Sequence, residues 1–178
     1  KGDICNIKEE YISEASKEEI INQKSHSLNG KDYNKKELNV SNNYELVKLG
    51  DYAILKNGNQ LDKKNIINGI YPVYGGGIKP IGYHNEYNGE ACTIISGTGN
   101  CGSVHFNKGK FWASQCFTVK SDNLLINKYL FIILKLMEQK IKDSCSGSVQ
   151  KFIRAKQFEN FKIPIPKNKE KITEWVEK

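Results

Sequence analysis

The sequence predicts a β-rich α+β domain with one long packed helix, and three observations carry that expectation. Short β-branched and aromatic runs alternate with Gly- and Asn-rich turns from Tyr44 to Phe117. One long stretch, 127–143, repeats its apolar residues at helical spacing. A last extended run, Ile163-Pro164-Ile165-Pro166, is followed by a second, amphipathic helical pattern. At 178 residues the chain holds one domain with a real core, or one domain plus an appendage.

Residues 1–43 read as a polar arm or linker. Ser16-Lys17-Glu18-Glu19 before Ile20-Ile21 resembles the capping box of a short helix, and Ser25 to Asn43 has too few apolar residues for a core of its own. The chain starts at Lys1 without Met, as a fragment would. The compact domain is expected from Tyr44, with a strand at Tyr52 to Leu55 and a turn at Lys56-Asn57-Gly58-Asn59. Tyr71-Pro72-Val73-Tyr74 reads as an edge strand, because Pro72 has no ladder donor, and Gly75-Gly76-Gly77 breaks it.

The organising stretch is 91–117. An apolar run, Cys92 to Ile95, meets the small-residue turn Ser96 to Gly102, and a second β run leads to Phe111-Trp112-Ala113. Such a turn either serves the fold alone or brings backbone N–H groups to an anion. Cys116 to Val119 gives another strand. The helix is expected at 127–143 with Asn127 as its cap and burial on more than one side. Ser144 to Ser148 interrupts, 155–160 suits a short helix, and Asn168 opens the final helix, with Ile172, Trp175 and Val176 on its apolar face.

A net charge of +7 and a pI near 9.0 favour a polyanionic partner, nucleic acid before membrane. All but one of the 27 basic residues are lysines, with Arg154 the exception, so base reading would lean on Asn, Gln, Ser, Thr, Tyr and Lys. No apolar run approaches the roughly 20 residues a membrane helix needs. Five cysteines without a C-x-x-C pair argue against zinc and against a disulfide framework, and point to a reducing, cytoplasmic setting. Catalysis has weak support: Ser96, Cys101 or Cys116 with His84 or His105 lacks anything to fix the geometry, and the histidines read as surface residues. Walker spacing and a carboxylate cluster are also missing. Binding is better supported. Basic and aromatic residues interleave at Tyr71, Tyr74, Lys79, Tyr83, His84 and Tyr87, and Gly147 to Arg154 sets small polar groups beside Gln150, Lys151 and Arg154.

Taken in order, several motifs resemble the target recognition domain of type I restriction–modification DNA specificity subunits. They are Leu49-Gly50-Asp51, Tyr71 to Gly77, Thr93 to Gly102, Phe111-Trp112-Ala113, Gly147 to Ile153, and Phe161 to Pro166 leading into a helix. They resemble as well the related C-terminal recognition domain of a fused adenine methyltransferase. The resemblance runs from Tyr44 to Lys178, departs at Ser114-Gln115 where many members carry Asp, and does not reach 1–43. It divides the chain into an arm (1–43), a DNA recognition domain (44–166) and the start of a spacer or dimerisation helix (167–178).

The resemblance implies a non-enzymatic reader of double-stranded DNA. An adenine methyltransferase subunit or fused domain would bring S-adenosylmethionine, and a restriction subunit would cut; the reader itself holds no cofactor or metal. Homodimerisation through Ile172, Trp175 and Val176 is a further expectation. A docking module without base readout, or a stand-alone hydrolase, are the competing readings. The expected DNA-contacting residues are Lys56, Asn57, Asn59, Gln60, Lys63, Lys64, Tyr74, Lys79, Tyr83, His84, Asn85, Ser96, Thr98, Ser148, Gln150, Lys151 and Arg154. The Ser96 to Gly102 turn itself, common to readers of different sequences, is expected to fix the scaffold or touch phosphate. Base choice falls to 56–68 and 79–88, with Gln150 and Lys151 added.

Overall fold

The computed structural model describes residues 8–12, 35–39 and 41–177, in two compact units, Lys1–Glu45 and Leu46–Lys178. In the first, β1 (Lys8–Ile12) pairs antiparallel with β2 (Lys35–Asn39), Lys8 opposite Asn39 and Ile12 opposite Lys35. A strand therefore stands inside the stretch read as linker; its charged composition hid it. The helix expected after Ser16 lies outside the described residues.

The second unit is built on a six-stranded sheet in the order β4 (Ile54–Asn57), β9 (Cys116–Lys120), β7 (Gly89–Ser96), β8 (Val104–Ala113), β5 (Tyr71–Tyr74), β6 (Gly82–His84). All neighbours run antiparallel except β5 and β8, which pair in parallel through Val73 opposite Trp112. β7 lies inside the sheet, and Cys92 to Ser96 are all buried. Burial on both faces explains why this run shows no polar alternation. Separately, β3 (Tyr44–Lys48) pairs with β10 (Lys162–Pro166), so the Pro-limited run is a two-stranded ribbon and not an edge of the main sheet.

Helix α1 (Leu124–Leu136) packs across β7 and β8 and buries Tyr129, Leu130, Ile133 and Leu134. Its cap is Asn123, whose Oδ1 accepts the Ile126 N–H at 3.0 Å, and not Asn127 as the sequence suggested. Asn127 is instead buried, and its Nδ2 donates to the Ala91 carbonyl at 2.8 Å. That carbonyl belongs to the bulge between Glu90 and Cys92, where Ala91 adopts a φ of 45°. The side chain thus satisfies a group the ladder leaves over. The expected single helix is two, because the backbone turns at Met137 before α2 (Glu138–Asp143).

Helix α3 (Ala155–Phe158) lies beside β4. The last helix, α4 (Glu170–Glu177), starts where Asn168 Oδ1 accepts the Glu170 N–H and packs on α1. Ile172 is buried and the Trp175 ring stands edge-on to Tyr129 at 6.3 Å. Within the described residues Ile172 and Trp175 pack against their own domain, and Trp175 stays half-buried. Tyr129 is fixed further by its hydroxyl, which donates to the Pro164 carbonyl at 2.9 Å.

Cys92 and Cys116 are buried thiols as expected, pushed up to about 11 and about 12 by burial. Cys101 and Cys145 form a disulfide, a departure from the thiol-only reading. Their separation of 44 residues carries no spacing signal; the return of α2 onto the Gly102 turn brings them together.

His105 also departs from expectation. Both ring nitrogens are buried without a hydrogen-bond partner, against Tyr74 at 4.7 Å. Burial pushes its pKa down to about 4, Lys135 adds to the fall and Glu138 opposes it. The neutral ring is the native form, so its stability contribution is complete above the unfolded value of about 6.5 and fades as pH falls toward 4. Discounted for partial exposure, on the order of 2 kcal/mol is expected to be lost across that window. Urea unfolding at pH 7 and pH 5 checks this: His105→Phe should flatten the difference, and an unchanged difference rejects His105 as its source.

Candidate nucleic-acid interface

Four loops meet at one end of the sheet. The Gly58 N–H donates to the Cys116 carbonyl at 2.8 Å and the Asn59 N–H to the Ala113 carbonyl at 3.0 Å, drawing 57–60 against 113–116. The Gly97 N–H donates to the Gln115 carbonyl at 3.0 Å, and Ile153 N–H to the Gly97 carbonyl at 2.9 Å. Asn57 Oδ1 accepts the Ala155 N–H at 3.0 Å, and Ser114 Oγ the Leu61 N–H at 3.1 Å. Small residues are required where these backbones close: a Cβ on Gly58 would fall 2.8 Å from the Cys116 carbonyl oxygen.

The loops enclose a polar cleft of about 250 Å³, with Gln60, Thr98, Gln115, Gln150 and Arg154 among its walls. Its backbone groups are largely used in holding the loops together, so side-chain amides and one guanidinium are what it offers a ligand. Amides carry a donor and an acceptor side by side, and the guanidinium a planar fork of donors. Both match the paired acceptors and donors on base edges.

The sequence pattern of the type I restriction modification DNA specificity domain matches residues 41–177. The chain belongs to this family. A putative type I specificity subunit of Mycoplasma pneumoniae is 34% identical over 140 residues, which cover 75% of this chain and 37% of that protein. The S subunit of a type I restriction-modification system from M. genitalium superposes with a TM-score of 0.68 at 24% identity, over 79% of this chain and 39% of that one. The HsdS subunit from Thermoanaerobacter tengcongensis gives 0.59 at 15% identity, over 78% and 38%. The two structural likenesses establish the shared fold. The chain spans less than two-fifths of the length of these relatives.

In this DNA specificity domain the expected contact residues divide. Gln60, Thr98, Gln150 and Arg154 come together on the cleft, and Asn57 lines it although its side-chain oxygen is committed to Ala155. Ser148 and Lys151 are exposed on the same loop. Lys56 and Asn59 lie alongside in a smaller cleft with Asn88 and Thr118. Lys63, Lys64, Lys79, Tyr83 and Asn85 are exposed outside it, while His84 is held by a 3.0 Å contact from Nδ1 to the Asn65 carbonyl.

One member is corrected, and Tyr74 is half-buried in packing contacts. Ser96 is fully buried, so it fixes the scaffold. Tyr74 packs against Phe111 and His105, and its hydroxyl accepts from Asn107 Nδ2 at 3.0 Å. Gln115 joins the cleft although the sequence marks it only as a departure from the family pattern; its position between Trp112-Ala113 and Cys116, at a strand junction, is the available signal. The imagined nucleophile–base pairs do not form among the described residues. Cys101 is oxidised, the Cys116 thiol donates to the Tyr74 carbonyl, and His105 has no partner.

Proposed function

We propose that this chain reads double-stranded DNA by sequence, as the specificity component of a type I restriction–modification system. It would direct adenine methylation, and cleavage, through partner subunits or a fused domain that bind S-adenosylmethionine. One observation carries the reading: the cleft brings Gln60, Gln115, Gln150 and Arg154 to one place on loops locked by backbone hydrogen bonds. Amides and a guanidinium so placed suit base edges, and the charge of +7 supplies the attraction to phosphate. The methyltransferase subunit, a restriction subunit and a cytoplasmic setting belong to the same proposal. No described helix is long and apolar enough to cross a membrane.

A docking module without readout finds less support, because Ile172 and Trp175 already pack on α1 and Tyr129. Lys151 and Lys56 are exposed beside the cleft and are assigned to phosphates. The test is duplex binding measured across rising salt. Affinity should fall log-linearly, and removing Lys151 should flatten the slope by about 1 while weakening all sequences alike. Absence of binding at low salt, or binding that ignores salt, would overturn the proposal.

A further inference from the structure

We propose that the Cys101–Cys145 disulfide is a redox control on the DNA-reading loop: closed, it holds the loop ready to bind, and opened, it lets the loop loosen. The inference rests on the DNA-recognition reading above and adds regulation to the same cleft. Cys101 belongs to the turn whose Gly97 and Thr98 line the cleft, and Cys145 directly precedes the loop carrying Gln150. That loop is pinched at its base by Ser146 and Phe152, whose backbones exchange hydrogen bonds of 3.0 and 2.7 Å. Val149 at its tip is fully exposed, so its side chain contributes no packing there.

The loop has two anchors to the glycine-rich turn. On its C-terminal side, the Ile153 N–H donates to the Gly97 carbonyl. On its N-terminal side the disulfide is the covalent anchor, beside the close approach of Gly102 to the Lys142 backbone. Opening the disulfide leaves the Ile153–Gly97 bond and the Cys145 N–H bond to the Lys142 carbonyl in place, and removes the covalent tie from Cys145 to the turn, so the loop is less tightly held on that side. A reading loop that must be ordered on binding binds less tightly than one already ordered. Intracellular disulfides, where they occur, are commonly redox-sensing, so a bridge at the reading loop is apt for control.

The chemistry is ordinary thiol–disulfide exchange with small thiols and disulfides. A thiolate attacks Cys145 sulfur, the half-exposed member, and expels the Cys101 thiolate, which takes a proton. A second thiolate then attacks the added sulfur of the mixed disulfide and expels the Cys145 thiolate; the two electrons leave with the oxidised small molecule. Closure reverses these steps with a small disulfide such as oxidised glutathione, which is released as two thiols.

The experiment uses the full chain treated with oxidised glutathione or with dithiothreitol, with thiols counted by alkylation and mass. Binding is measured on a random-sequence duplex pool and on the duplexes it enriches. Reduction is expected to add two thiols and to raise the Kd by about three- to tenfold. A Cys101→Ser/Cys145→Ser double variant should bind like the reduced chain under both treatments. Hydrogen exchange at the Ser146 and Phe152 amides, followed without DNA, should quicken on reduction. Failure of the bond to form with oxidised glutathione overturns the inference, as does exchange or binding that ignores its state. Absence of binding in both states, with exchange still responding, would reject DNA recognition and leave the redox coupling of the loop standing.

Discussion

Arg154→Ala is expected to weaken binding to the preferred duplex by about 1–3 kcal/mol, roughly 5- to 150-fold, and to relax preference at one position. Arg154 is the chain's lone arginine, and it stands on the wall of the amide-lined cleft. A chain that otherwise meets anions with lysine has one group able to donate two parallel hydrogen bonds to a guanine edge. The flanking backbone is fixed, since the Ile153 N–H bonds Gly97 and the Ala155 N–H bonds Asn57. The guanidinium therefore projects from a held position, which is what geometric discrimination requires. Arg154→Lys separates charge from geometry: it should restore salt-dependent binding to all duplexes but not the preference. Fluorescence anisotropy on the preferred duplex and on single-base variants checks both. A uniform loss on every duplex, fully restored by lysine, would make Arg154 a phosphate contact and leave base choice to the glutamines.

The parts of this molecule that are legible in its sequence are those with local causes. β7 declares itself because Cys92 to Ile95 is an unbroken apolar run, and α1 because Tyr129, Leu130, Ile133 and Leu134 share one face. Its cap was misplaced since two asparagines, Asn123 and Asn127, both suit the role locally; the bulge carbonyl of Ala91 decides between them, and it is 36 residues from Asn127. The same limit applies to the cleft. Gln60, Thr98, Gln150 and Arg154 were each recognisable as binding chemistry, yet Gln115 joins them only through the long-range bond that ties its carbonyl to Gly97. Ser96 goes the opposite way: a residue that looks polar in sequence is buried at the end of the central strand β7. Ile172 and Trp175 show an apolar face correctly, but periodicity does not say which surface covers it.

Gly102→Ala is expected to destabilise the domain by about 2–4 kcal/mol and to weaken DNA binding with it. Gly102 sits at a φ of +81°, where an L side chain is strained by about 1 kcal/mol or more. The added carbon would also lie 2.8 Å from both the Cα and the amide nitrogen of Lys142. Those are backbone atoms of α2, so relief requires moving the helix away from the turn, which pulls against the adjacent Cys101–Cys145 bridge. The Gly102 N–H also donates to the buried Ser96 carbonyl at 2.8 Å, closing the turn that carries Gly97 and Thr98 to the cleft. Strain here is thus transmitted to the reading wall as well as to the core. Gly77→Ala provides the contrast, because nothing lies within 4 Å of its added carbon and its φ is not in the left-handed region. That variant should stay within about 0.5 kcal/mol of the parent. Urea titrations of the two variants decide the matter. Equal midpoints would mean that the glycine-rich turn yields easily, and that the cleft is held by its other loops rather than by this contact with α2.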